Sequence, residues 1–232
     1  KTSLSATAYA SLGRGGGSGD LGRNGSFGFF SSSRWRNADN GYVLWDEVVK
    51  HNSGQSANWR YGSTSMGVDA STGQYIVNDE SFSSRSQYPR RNGWIQRNSV
   101  NSHNWFGAIA NLKTELAENL TLDVGFDSRF YKGLHYRNVR DLLGSDGYRD
   151  SRYNGAPNTN GVVAATKEYQ WPIGDVWNVF GDTDAEEKID RNNNGVIDYF
   201  GLYFQLEYLM DDISIFVQGS GSNKGYQREE FY

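Results

Sequence analysis

The chain has 232 residues, a net charge of −4, no cysteine and 28 glycines, with 7 Trp, 15 Tyr and 12 Phe. Without cysteine there is no disulfide framework, no thiol catalysis and no Cys-based zinc site, and acids interleaved with scattered arginines argue against a nucleic-acid partner. No apolar run approaches the roughly 18–20 residues of a membrane-crossing helix, but a barrel strand needs an apolar residue only at every second position.

Alternation with period two begins at about residues 3–11, where Leu4, Ala6, Ala8 and Ala10 interleave with Ser3, Ser5, Thr7 and Tyr9. A strand with a thin apolar face is expected there. Residues 12–103 are polar and rich in Gly, Ser, Asn and Arg, and read as a long loop. Within it, Gly17, Gly19 and Gly22 spell G-x-G-x-x-G, with Asp39 about twenty residues on. A dinucleotide fingerprint needs a helix opening at those glycines, whereas Arg23 to Gly28 reads as turn, so a plain loop is expected. Tyr42, Val43, Leu44, Trp45, Val48 and Val49 recur at helical spacing and predict a short helix capped by Asp39 or Asn40.

Four segments with a sharper pattern follow, at about 104–116, 120–131, 199–209 and 213–220. Their dry set runs Phe106, Ala108, Ala110, Leu112, Leu116; Leu120, Leu122, Val124, Phe126, Phe130; Phe200, Leu202, Phe204, Leu206, Tyr208; and Ile213, Ile215, Val217. No charge falls in it. The complementary set holds Lys113, Glu115, Asp123, Asp127, Arg129 and Glu207, with Asn111, Thr121, Gln205 and Gln218. Each strand therefore has one dry and one wet face. The connections at 117–119 and 209–212 are short and flanked by dry residues on both sides, which preserves register. The connection at 132–198 is long. It contains Asp141, Leu142, Leu143 and Gly144, expected as a helical turn, and a candidate calcium loop at 190–198. Asp190, Asn192, Asn194 and Asp198 are its oxygen donors and Gly195 takes position 6, but Gly201 stands where the bidentate acid belongs. A hairpin-opening turn is the competing reading.

Long runs of wet/dry strand joined by alternately short and long connections predict an all-β, antiparallel transmembrane barrel segment of about five strands, with extracellular loops at about 12–103 and 132–198. Five strands cannot close, so the chain is expected to be a fragment, or the resolved portion, of something longer. It opens at Lys1 with no signal peptide or plug segment in view. Gly13, His103, Lys132 and Tyr199 would lie near the outer rim, and Trp105, Tyr131, Tyr199 and Phe200 in an aromatic girdle. The alternative is a soluble β-sandwich, a cell-surface binding or adhesion module for glycans, whose dry faces would meet in a core.

The segments Asn101 to Ala108 (NSHNWFGA), Tyr131 to Arg137 (YKGLHYR) and Asp141 to Gly144 (DLLG) resemble the SusC/RagA-type TonB-dependent transporters. So do residues 8–17, 189–201, 204–208 and 216–219; residues 50–95 and 150–185 match less well. The resemblance implies an outer-membrane importer of glycan or peptide oligomers in Bacteroidota-type bacteria, with a barrel of roughly 22 strands and a plugged lumen. It also implies a SusD-like surface lipoprotein as partner and energy delivered by TonB. The plug and the TonB-contact segment belong to the family and are not in this sequence.

No enzyme is expected. His51, His103 and His135 stand outside any nucleophile or metal motif and read as neutral loop or rim residues. Asp123 and Asp127 share a face with Arg129, which predicts a hydrated ion-pair ladder rather than a catalytic acid pair. Trp35, Trp59, Trp94, Trp171 and Trp177 are the candidate substrate contacts, since flat rings stack on sugar faces or peptide side chains. Packing within the loops is the competing reading for each, and Trp45 in the helix is expected to pack that way.

Overall fold

The computed structural model describes residues 1–22, 35–60, 62–79, 92–150, 165–170 and 186–231. It is all-β, with ten strands and one short helix among the described residues. The chain divides into two compact units. A sheet unit comprises Lys1–Gly13, Ser102–Leu134 and Asn193–Glu230, and a core unit comprises Arg14–Asn101, His135–Asn192 and Phe231–Tyr232.

The sheet unit is built from β1 (Thr2–Gly13) and from parts of β6 (Trp94–Ala117), β7 (Leu120–Asp141), β9 (Lys188–Met210) and β10 (Ile213–Glu230). The strand order is β1-β6-β7-β9-β10. Like faces pair with like, as the alternation requires: Leu4 lies opposite Leu112, Ala6 opposite Ala110 and Ala10 opposite Phe106. On the far side Tyr208 meets Ile215, Leu206 meets Val217 and Phe204 meets Gly219. A one-residue slip at any of these ladders would move charges into the dry set. The second joint is tighter than expected, because Met210 pairs directly with Ile213 and only Asp211 and Asp212 turn.

No other layer of this unit covers the dry stripe. Leu202 is 65% exposed and Val217 61%, and Leu4, Ile213 and Ile215 are similarly open. Neither of the buried hydrophobic clusters found among the described residues includes a residue of this unit.

The strands run well past the expected ends. Residues 94–103, 132–141 and 188–198 are strand where loop is expected, β10 continues through 221–230, and β2 (Gly16–Gly22) replaces the loop expected at the glycine run. It continues the register of β1 against β6, with Gly13 opposite His103 and Gly16 opposite Val100. Backbone pairing continues there without the side-chain alternation that marks one dry face, so no period-two signal exists to read. The outer part of β10 is polar on both sides. His103, Lys132 and Tyr199 consequently lie within strands, while Gly13 ends β1.

The core unit also contains α1 (Trp45–Asn52), β3 (Ala57–Trp59), β4 (Gly62–Thr64), β5 (Ile76–Asp79) and β8 (Gly147–Asp150). β3 pairs antiparallel with β4, and β5 pairs parallel with β8. One buried cluster gathers Met66, Val77, Ile95, Val139, Leu142, Tyr148 and Ile189; a second gathers Trp35, Val48, Ala57, Trp94 and Leu143. The helix begins at Trp45 with Leu44 in the cap position and no side-chain cap. Asp39 and Asn40 lie upstream of it, where Asn37 Oδ1 accepts from the Asp39 amide and Asn40 Oδ1 from the Tyr42 amide. Such Asx turns use the same residue types as N-caps, which is why the cap was misplaced. Asp46 and Glu47 in the first turn offset the missing cap through the helix dipole.

Asn52 closes the helix onto the unit. Its fully buried amide donates to the carbonyls of Trp94 (2.7 Å) and Leu143 (3.0 Å) and accepts from the Trp94 amide (3.3 Å). Gly93 is required beside it, since a Cβ there would stand 2.3 Å from Asn52 Oδ1. Residues 141–144 form a turn, not a helical one: Asp141 Oδ1 accepts from the Leu143 amide, with Leu143 and Gly144 at positive φ.

His51 is fully buried between the rings of Trp35 and Trp94, and its Nε2 lies 3.0 Å from the Asn92 carbonyl. Burial holds its pKa below the ordinary imidazole value. The unfolded chain therefore takes up this proton at higher pH than the folded one. Stability is full above the unfolded pKa of about 6.5 and declines as pH falls through it. Melting curves between about pH 7.5 and pH 5 should show that loss, and His51→Gln should flatten it.

Candidate functional site

The wet face of the sheet unit gathers the polar chemistry. Asp127 takes a two-point ion pair from Arg129, at 2.7 and 3.2 Å, along one edge of β7. Asp123 accepts from Asn111, whose amide also donates to the Tyr203 hydroxyl at 2.9 Å. Glu207 accepts from Ser214 Oγ at 2.8 Å, Glu115 meets the amino group of Lys1 at 2.7 Å, and Lys113 lies opposite Ser3. All six charged residues expected on this face thus sit at alternate strand positions; Asp127 and Arg129 engage each other along β7, and Glu207 lies opposite Phe216. Asp123 and Asp127 are each engaged separately and form no shared acid pair.

Aromatic residues divide between the two faces. Phe106, Phe126, Phe130, Phe200 and Phe204 occupy stripe positions, with Phe200 centred 5.5 Å from Phe130 and 6.2 Å from Phe126. Tyr9, Trp105, Tyr131, Tyr199, Tyr203 and Tyr226 occupy the opposite positions. Trp105 meets Tyr131 edge-on at 6.0 Å, His103 stacks on Tyr131 at 5.9 Å, and the Arg129 guanidinium lies 5.3 Å over the Tyr199 ring. The expected girdle is corrected accordingly: Phe200 lies on the stripe, but Trp105, Tyr131 and Tyr199 share the face of Arg129. Distance along a strand sets height, whereas parity sets the face.

A hollow of about 620 Å³ is lined by stripe residues, Ala110, Leu112, Phe126, Leu202 and Phe204 among them, together with Asn111, Tyr203 and Ser220 of the opposite positions, and most of its exposed lining is apolar.

The tryptophans expected to contact substrate do not form one surface. Trp35 and Trp94 are buried, their centroids 4.9 Å apart, and Trp59 stacks on Trp35 at 5.4 Å. They make the small core of their unit, because rings this large hold isolated loop segments together most effectively. Trp45, expected to pack, is instead 38% exposed. Trp171 and Trp177 lie outside the described residues.

The candidate calcium residues are extended. Asp190, Asn192, Asn194 and Asp198 lie along β9, so a rise of about 3.3 Å per residue spreads their side chains over tens of ångströms. A loop wrapped on one ion, with oxygens at about 2.3–2.6 Å, is not formed. Asp190 pairs with Arg137, and Asn194 donates to Glu229 at 3.0 Å. No group of three or more metal-binding side chains occurs among the described residues. Gly17, Gly19 and Gly22 are on strand β2, and the residues that follow, 23–34, lie outside the described residues. His135 Nδ1 lies 2.7 Å from Asn101 Oδ1.

A scan against protein-family models and searches of curated proteins and of solved structures find no match to this chain.

Proposed function

We propose that the chain is part of the wall of a transmembrane β-barrel in the outer membrane of a Bacteroidota-type bacterium, in a nutrient importer of the SusC type. The observation that carries this reading is the uncovered stripe, kept in register across neighbouring strands, with every charge within residues 105–116, 120–131, 199–208 and 213–220 on the reverse side. In water such a face would be penalised by about 25 cal/mol per Å² of apolar area, and contiguous apolar patches of this kind mark contact surfaces. Hydrocarbon removes the penalty. The stripe occupies positions 106–116 and 120–130, and about 9–11 residues of tilted strand cross a bilayer. The apolar hollow suits a lipid acyl chain. β1 and β10 each have one sheet neighbour, so further strands would complete the roughly 22-stranded barrel.

The SusC/RagA-like segments supply the finer reading: uptake of glycan or peptide oligomers, with a SusD-like lipoprotein partner and energy from TonB. Six wet-face charges suit a watered lumen, where exposed ion pairs are worth about 0–1 kcal/mol each and leave the surface hydrated. The soluble sandwich reading needs a second layer over the stripe. Reagent accessibility measured position by position along β7, in intact outer membranes, tests the proposal.

A further inference from the structure

We propose that Lys132 and Glu229, flanked by Asp198, form a docking site for a lipid headgroup that carries both a phosphate and an ammonium group, as phosphoethanolamine does. The site lies on the stripe side of the sheet unit. The inference rests on the membrane-wall reading and names the lipid chemistry that the wall meets at its edge.

All three residues continue the stripe's own alternation. Lys132 follows Phe130 on β7, and Asp198 precedes Phe200 on β9. Glu229 lies on β10 in step with Val217 and Gly219, and the ladder to β9 runs through all three without a break. Asn104 stands in the same relation to Phe106 on β6. Cross-strand contacts set the level of each. Trp105 against Tyr131 aligns β6 with β7, while Tyr203 over Gly125 and Arg129 over Tyr199 align β7 with β9. Phe106, Phe130 and Asp198 therefore share one level, and Asn104 and Lys132 the next. Charge enters the stripe side at one height on neighbouring strands, directly beyond the phenylalanines.

That height suits the surface of a membrane. From Leu116 back to Phe106, and from Leu120 on to Phe130, the stripe runs about 33 Å at about 3.3 Å per residue. With the tilt of about 35–45° that barrel strands adopt, it stands about 25 Å tall, the height of the apolar band of an outer-membrane barrel. Side chains at the next level meet headgroups, where a charge facing lipid is tolerated.

The arrangement of charge is complementary to a zwitterion. Lys132 Nζ lies 3.6 Å from Glu229 Oε2, which also accepts from Asn194 Nδ2 at 3.0 Å. The ion pair is open to its surroundings, its side chains 48% and 32% exposed, and a pair this loose stabilises the fold little by itself. An ammonium donates in several directions and a carboxylate accepts several hydrogen bonds, so each charge can take a second partner. A headgroup phosphate meets Lys132, and its ammonium meets Glu229 or Asp198 beside it. A purely anionic headgroup would satisfy the lysine but face two carboxylates. A choline headgroup has no N–H to donate to either. The hollow lies farther along the same side, among Leu112, Val124 and Phe204, where the acyl chains of such a lipid would run.

The test is native mass spectrometry of the full-length protein, delipidated in detergent and titrated with phosphatidylethanolamine, phosphatidylglycerol or phosphatidylcholine of identical acyl chains. Phosphatidylethanolamine should be retained at least about threefold more tightly than either of the others. Lys132→Gln and Glu229→Gln should each weaken that retention at least about threefold, and Lys113→Gln, on the wet face, should leave it unchanged. Neither substituted side chain belongs to a buried cluster, so both variants should fold. The site is overturned if either other lipid is retained within about threefold of phosphatidylethanolamine, if either charge variant stays within that margin, or if Lys113→Gln weakens retention equally. Cysteine accessibility along β7 separates the two possible failures. A stripe that reacts with a water-soluble maleimide overturns the membrane wall and this site with it, whereas a protected stripe without lipid preference overturns this site alone.

Discussion

Val124→Lys is expected to prevent stable insertion, while Thr121→Lys, on the same strand, is expected to be tolerated. Val124 occupies the middle of the stripe on β7, and Thr121 the opposite face. At the bilayer midplane a lysine facing lipid costs about 2–4 kcal/mol, whereas in the lumen it meets water. Register prevents the strand from rotating to hide the charge, because a slip of one residue would turn Asp123, Asp127 and Arg129 outward together. Reversible refolding into lipid vesicles, followed by denaturant titration, reads the difference directly. Equal losses for the two variants would mean that the two faces meet the same medium.

Trp94→Ala is expected to cost about 3–5 kcal/mol, as for other fully buried large aromatics. The ring is fully buried, edge-on to Trp35 at 4.9 Å and 5.5 Å from His51, while its backbone carbonyl and amide are both held by Asn52. Removing the side chain therefore opens a cavity where helix α1, β6 and the 142–145 turn are joined. Asn52→Leu should be nearly as severe, since it strands buried carbonyls of Trp94 and Leu143 at about 1–3 kcal/mol each. Amide hydrogen exchange would register both: protection at residues 94–100 and 142–148 should fall in either variant. Trp94→Phe should preserve most of it. A Trp94→Ala protein with unchanged protection would show that the ring cluster holds nothing together.

Those rings also show what sequence could and could not disclose. The five strands were legible because one apolar and one polar face impose a period of two. Where that asymmetry ends, as at Gly195 on β9 or Gly221 on β10, the strand persists but the pattern does not, and the segments read as loop. The tryptophans were legible as aromatics in polar sequence, yet burial depends on partners distant in the chain. Trp35 and Trp94 meet only because β6 begins where helix α1 ends, and Trp45, eight residues before Ser53, turns outward instead. Asx turns at Asn37 and Asn40 imitated a helix cap. Positional parity alone places Trp105, Tyr131 and Tyr199 on the face of Arg129.

The central claim is that the stripe contacts hydrocarbon. Single cysteines introduced one at a time from 120 to 131, in a stretch of 232 residues that has no cysteine of its own, can be challenged in intact outer membranes with a water-soluble maleimide. The account predicts reaction at 121, 123, 127 and 129 and protection at 120, 122, 124, 126 and 130. Reaction at both sets alike, or protection at both, would contradict it.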